Sequence, residues 1–129
     1  MTDIEVDEQS KTTALLLVDH GSSLPEANAV IEVLKTMIQS LRPYLQVEIA
    51  HMELCSPSIA EGFNACVEKG AKKVIVHPYM LSPGKHSTRD IPEAVRLAAA
   101  HHPAVLFTVT EPLGPHQKLC EIVLERAKL

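Results

Sequence analysis

Tryptophan is absent from this 129-residue chain, and two Phe and two Tyr are its only large aromatics. Proteins that hold single-stranded nucleic acid stack bases on such rings, so that platform is excluded. A basic stripe is missing too. The 12 Lys and Arg are dispersed among 16 Asp and Glu, for a formal charge of −4. Four of those acids (Asp3, Glu5, Asp7 and Glu8) fall in the first ten residues, which carry no Lys or Arg. Without them the balance is 12 − 12 = 0, too little positive charge to grip a phosphate backbone. No apolar run approaches the ~18 residues a membrane span needs. The acidic start is the opposite of a signal peptide's basic one, so the expectation is a cytoplasmic protein with neither a nucleic-acid nor a membrane partner. Cysteine is scarce as well: Cys55, Cys66 and Cys120 are odd in number, widely spaced and form no C-x-x-C. That excludes a disulfide framework and a thiolate zinc site, and leaves reduced core thiols.

What the chain does have is hydrophobic residues, 46% of the total, enough for one core and too few for two ordinary domains. Residues 1–11 are polar and acidic without periodicity and read as a flexible arm, with 12–129 as a single domain. Strand and helix patterns then alternate four times. Strands are expected near Thr13 to Asp19, Gln46 to Met52, Val74 to Pro78 and Ala104 to Thr110, each followed by a segment of helical period. In the first such segment Ala27, Val30, Ile31, Leu34, Ile38 and Leu41 form one apolar stripe, and Pro43 ends it. The second is expected to begin at Ser56-Pro57, a hydroxyl cap followed by proline, and to stop at Gly70. For the third, Asp90 is the expected cap with Glu93 reaching back, and the last starts near Pro115. Such alternation predicts an α/β fold, a parallel sheet with helices on both faces. Leu15 to Val18 and Val74 to Val76 are continuously apolar, whereas Gln46-Val47-Glu48-Ile49 alternates. Continuous runs belong in the middle of a parallel sheet, which favours strand order 2-1-3-4 with a reversal between strands 1 and 3.

Ligands bind beyond the carboxyl ends of the strands at that reversal. The loops there carry Asp19-His20-Gly21-Ser22-Ser23 and Ser82-Pro83-Gly84-Lys85-His86, and Glu53 closes the second strand. The intervals 53 − 20 and 86 − 53 are both 33, about one strand-helix unit, so equivalent strand ends could bring the three side chains to one rim. Two imidazoles and a carboxylate are borderline ligands suited to a divalent first-row metal with open positions. Glu53 reads equally well as a third ligand or as a proton acceptor. Gly21 would let a ligand approach the backbone, and Ser22 and Ser23 are suited to capping the first helix or binding an anion. In the long third loop Pro83 and Gly84 shape a turn, while Lys85 and Arg89 could meet an acidic ligand. His116 lies in the fourth loop of the same rim. His101 and His102 fall at a helix C-terminus, which needs no ligand to account for them.

With these residues in view, the chain resembles the short CbiX/SirB-type class II chelatases, which insert a divalent metal into sirohydrochlorin. The resemblance runs from about Ala14 to the end. It rests on Val18-Asp19-His20-Gly21-Ser22, Ala50-His51-Met52-Glu53-Leu54 with Pro57-Ser58-Ile59, Gly70-Ala71-Lys72-Lys73-Val74, Pro83-Gly84-Lys85-His86 before Asp90-Ile91-Pro92, and Pro112-Leu113-Gly114-Pro115-His116. It implies a flavodoxin-like chelatase half and metal held by His20 and His86 with support from Glu53. The ion, Co²⁺ or Fe²⁺ with Ni²⁺ as a further candidate, would be a substrate, and no organic cofactor is implied. Because longer relatives carry two such units, a homodimer with the macrocycle in its cleft is implied as well. One departure is Ser23, where the family often has Arg, and Lys85 and Arg89 are the cations placed to compensate. The competing class is a non-catalytic tetrapyrrole or metal carrier of the same fold. A serine hydrolase fits less well, since Gly21-Ser22 lacks the nucleophile-elbow pattern.

Overall fold

The computed structural model describes residues 12–129, so the expected acidic arm lies outside the described residues. Strands β1 (Thr13–Asp19), β2 (Gln46–His51), β3 (Lys73–Pro78) and β4 (Leu106–Val109) form one parallel sheet in the order β2-β1-β3-β4. This is the order expected from the apolar runs. Helix α1 (Pro25–Leu41) lies on one face, and α2 (Ile59–Glu68) and α3 (Ile91–Ala99) lie together on the other. Helix α4 (Gln117–Ala127) closes the described chain.

Alternate residues of the central strands feed the two layers. Leu16, Val18, Val74 and Val76 pack with Phe63, Cys66, Ile91 and Val95 on the α2/α3 side, while Leu17, Val47 and Ile49 pack with Ile31 on the α1 side. Removing a side chain such as Phe63 or Leu16 from water contributes about 1.5–3 kcal/mol, and burial also pushes the Cys66 thiol up to about 12. Only Cys66 of the three thiols is a core residue. Cys120 is exposed and Cys55 half-buried, because neither falls on a sheet-facing stripe. Glu48 is the buried charge of edge strand β2, held by Lys69 at 2.7 Å and Gln46 at 3.2 Å.

Three helix starts differ from expectation. At α1 the N-cap is Leu24, and neither Ser22 nor Ser23 caps the helix. Helix α2 is capped by Ser58, whose hydroxyl accepts from the Glu61 amide while the Glu61 carboxylate accepts from the Ser58 amide. Ser56 and Pro57 precede it in a bent segment, where the Pro57 carbonyl accepts from the His51 amide at 2.8 Å. Asp90 is not a cap either. A π-helical turn, His86–Asp90, runs directly into α3, and Glu93 pairs with Arg96 rather than reaching back. The connection after β3 is therefore shorter than it reads in sequence, and His86 sits on the first turn of a helix.

Candidate metal centre

The parallel ladder between β1 and β2 continues past Asp19 and His51 by two bonds, from the Met52 amide to the Asp19 carbonyl (2.9 Å) and from the Glu53 amide to the His20 carbonyl (3.2 Å). These bonds pin the loop carrying His20 against the end of β2. Gly21 then turns the chain at φ +89°, and a Cβ there would sit 1.9 Å from the Glu53 carbonyl oxygen. Only glycine fits so close a crossing.

At the end of β3 the π-helical turn raises His86 beside that loop, and the rings of His20 and His86 lie 4.5 Å apart, centre to centre, at 82°. With metal–nitrogen bonds of about 2.0–2.1 Å and about 1.1 Å from nitrogen to ring centre, two imidazoles meeting at a right angle on one ion have centres roughly 4.5 Å apart. The observed separation suits a shared ion. His86 is also oriented from behind, since its Nδ1 lies 2.9 Å from Asp90 Oδ2. An ionised carboxylate only accepts, so Nδ1 carries the hydrogen and Nε2 keeps the lone pair that a metal takes. Partial desolvation pushes the Asp90 carboxyl up, but hydrogen bonds from His86 and Arg89 and the charges of Arg89 and Lys85 outweigh it and hold it below the usual range.

Of the other expected site residues, Glu53 is exposed next to the Gly21 crossing. Among the described residues no three His, Cys, Asp or Glu side chains are grouped to hold an ion, so its carboxylate does not complete a three-donor cluster here. Ser22 serves the loop itself: its hydroxyl accepts from the Leu24 amide, and its amide and carbonyl bond the Asn28 side chain at 2.9 and 2.7 Å. Ser23 is exposed on the edge of a cleft of about 440 Å³ shared with His51 and Cys55. Lys85 and Arg89 are exposed beside His86, and Gly84 has open space around it and no positive φ, so its backbone freedom is not used. His116 caps α4, its Nδ1 accepting from the Lys118 amide at 3.0 Å.

Two carboxylates next to the site were not read from the sequence. Asp90 is one, and its i, i+4 spacing from His86 becomes a signal only once that stretch is known to be helical. Asp19 is the other. It accepts from Nδ1 of the buried His51 at 2.6 Å, the two residues being register partners at adjacent strand ends. Asp19, His20 and Gly21 also line a cleft of about 360 Å³ with Val30 and Tyr79.

A doubly wound parallel α/β domain with two imidazoles converging at its topological switch point is, by construction, suited to handling a divalent ion. The CbiX family model matches residues 14–129, and the chain belongs to that family. It is 42% identical over 112 residues to the chloroplastic sirohydrochlorin ferrochelatase of Arabidopsis thaliana, matching 87% of this chain and 50% of that protein. With the sirohydrochlorin cobaltochelatase of Methanopyrus kandleri it shares 32% identity over 135 residues, covering 89% of this chain and 94% of the other. The crystal structure of the sirohydrochlorin chelatase SirB from Bacillus subtilis subspecies spizizenii in complex with cobalt superposes with a TM-score of 0.85 at 31% identity, covering 91% of this chain and 50% of SirB. The chain thus spans about half the length of the plant and Bacillus relatives and nearly all of the archaeal one.

Proposed function

We propose that this protein inserts Co²⁺ or Fe²⁺ into sirohydrochlorin, acting in the cytoplasm as a homodimer whose two rims enclose the macrocycle. The observation that carries the reading is the right-angled approach of His20 and His86 at 4.5 Å. The names of the relatives support the choice of substrate and of metals.

Insertion exchanges one divalent ion for two pyrrole N–H protons. His20 and His86 replace some of the ion's waters and leave the remaining positions open to pyrrole nitrogens. Two protein ligands hold the ion loosely enough to give it up, which a closed four-ligand site would not. Copper and zinc outrank cobalt and iron at almost any such site, so the choice of metal rests on geometry and supply. We assign Glu53 the role of proton acceptor, because it lies across the Gly21 crossing from His20 without joining a three-donor cluster. Lys85 and Arg89, exposed beside His86, supply the positive charge for the carboxylates of the macrocycle in place of the cation that Ser23 lacks.

The test is to follow the absorbance of sirohydrochlorin with excess Co²⁺ or Fe²⁺. Many turnovers per protein are expected. One macrocycle or ion bound per site without turnover would make the protein a carrier, and an unchanged uncatalysed rate without binding would overturn the reading.

A further inference from the structure

Helix α4 has no buried residue, and Ile122, Val123 and Leu124 stand 46–65% exposed on it. An 11-residue helix is too short to be stable in water by itself and needs an apolar surface to pack on.

Such a surface exists elsewhere on the molecule. The ladder register places Leu15, Ile75 and Thr108, and Lys73 with Leu106, on the face of the sheet that α1 occupies. Helix α1 lies over β2 and β1, so among the described residues the β3–β4 half of that face has no helix over it, and Leu106 is 69% exposed. The flank of α1 turned toward this bare half can be identified. Val30 shares a cleft with Tyr79 at the end of β3, whereas Ala29 and Glu32 share theirs with Ile49 and His51 of β2. Val33 and Met37 follow Val30 at helical steps, and all three are 52–59% exposed. Sheet and helix together form a trough with an apolar wall and a mixed floor, in which Leu15, Ile75 and Leu106 lie beside Lys73, His77 and Thr108. A two-layered parallel sheet normally carries a helix there.

We propose that the trough holds α4 of a second copy of this chain, and that the two copies exchange these helices reciprocally. This rests on the two-copy reading above and specifies its interface. Among its described residues each chain has one helix without a bed and one bed without a helix. A two-fold axis satisfies both at once, since the same pair of surfaces meets twice. Ile122 lies mid-helix on α4, and Leu106 is the exposed apolar side chain at the β4 edge of the trough.

The experiment is analytical ultracentrifugation of the full chain and of two variants, Leu106→Lys and Ile122→Glu, alone and mixed. Both side chains are exposed in the single chain, so circular dichroism should show folded variants; Met37→Glu on the trough wall and Val123→Glu on the helix replace either one that is not. The parent chain should sediment at twice 14.1 kDa, and each variant alone should associate about a hundredfold more weakly. An equimolar mixture should regain the dimer, because the Lys-bearing trough then receives the Glu-bearing helix while the other helix and trough are unaltered. A monomeric parent would overturn both this proposal and the two-copy reading. Variants that remain dimeric, or a mixture that remains monomeric, would overturn the helix exchange and leave the two-copy reading and the metal chemistry standing.

Discussion

The Nδ1 hydrogen of His86 is directed at the carboxylate of Asp90, 2.9 Å away and one turn further along the same helical segment. That bond leaves Nε2 as the nitrogen of His86 with a free lone pair, and so fixes the donor that a shared ion would meet. Asp90→Ala should weaken Co²⁺ binding about 10- to 100-fold. Asp90→Asn, whose amide oxygen still accepts, should lose less. Calorimetric titration of the two variants checks the order, and equal affinities in both would show that Asp90 does not orient the imidazole.

Gly21 is required by both conformation and space. Gly21→Ala places a side chain at φ +89° and 1.9 Å from the Glu53 carbonyl, and should cost about 2–4 kcal/mol of stability through strain and displacement of the loop. Thermal unfolding should show a lower midpoint, and the same variant should lose metal binding because His20 moves with the loop.

Glu53 and the histidines should separate in their kinetics. If Glu53 accepts protons, Glu53→Gln should lower kcat by about 10²- to 10⁴-fold with Co²⁺ affinity nearly unchanged. His86→Ala should abolish both binding and turnover. A Glu53→Gln variant that binds Co²⁺ as poorly as His86→Ala would instead make Glu53 a ligand.

Acid stability follows from Glu48. Burial pushes its carboxyl up, but hydrogen bonds from Lys69 and Gln46 and the charges of Lys35 and Lys69 outweigh that and leave it below the usual range. The folded state therefore favours the ionised form. Its stabilisation is complete above the unfolded carboxyl value of about 4.3 and is lost as pH falls through the lower folded value. Chemical denaturation between pH 3 and 6 should show a loss in the parent chain that is smaller in Glu48→Gln. Because Lys69 is largely exposed, the variant should cost only about 1 kcal/mol at neutral pH.

The sheet was legible because Leu15 to Val18 and Val74 to Val76 are apolar on both faces, which only central strands require. From that order the two histidine loops followed, and His20 and His86 do meet. The helix starts were less legible. Asp90-Ile91-Pro92-Glu93 has the composition of a capping box, yet the chain is already helical at His86: the Ile91 amide bonds the His86 carbonyl across a wide π turn, and Thr88 bonds the Gly84 carbonyl. Pro92 lacks a donor and marks a helix start in sequence, but a widened turn upstream accommodates it. The same hidden turn concealed Asp90. Asp19 and His51 are 32 residues apart, and their pairing depends on strand register, which single-strand patterns do not fix. Helix α4 carries an apolar stripe that reads like any core-facing helix, although among the described residues none of its side chains is buried.

Anomalous X-ray scattering from crystals of the protein grown with Co²⁺ would locate the ion itself. One cobalt peak is expected at the rim, about 2.0–2.3 Å from a ring nitrogen of both His20 and His86, and should be lost in His86→Ala. A cobalt peak at other histidines, such as His101 and His102 at the far end of α3, with His20 and His86 uncoordinated, would overturn the shared site.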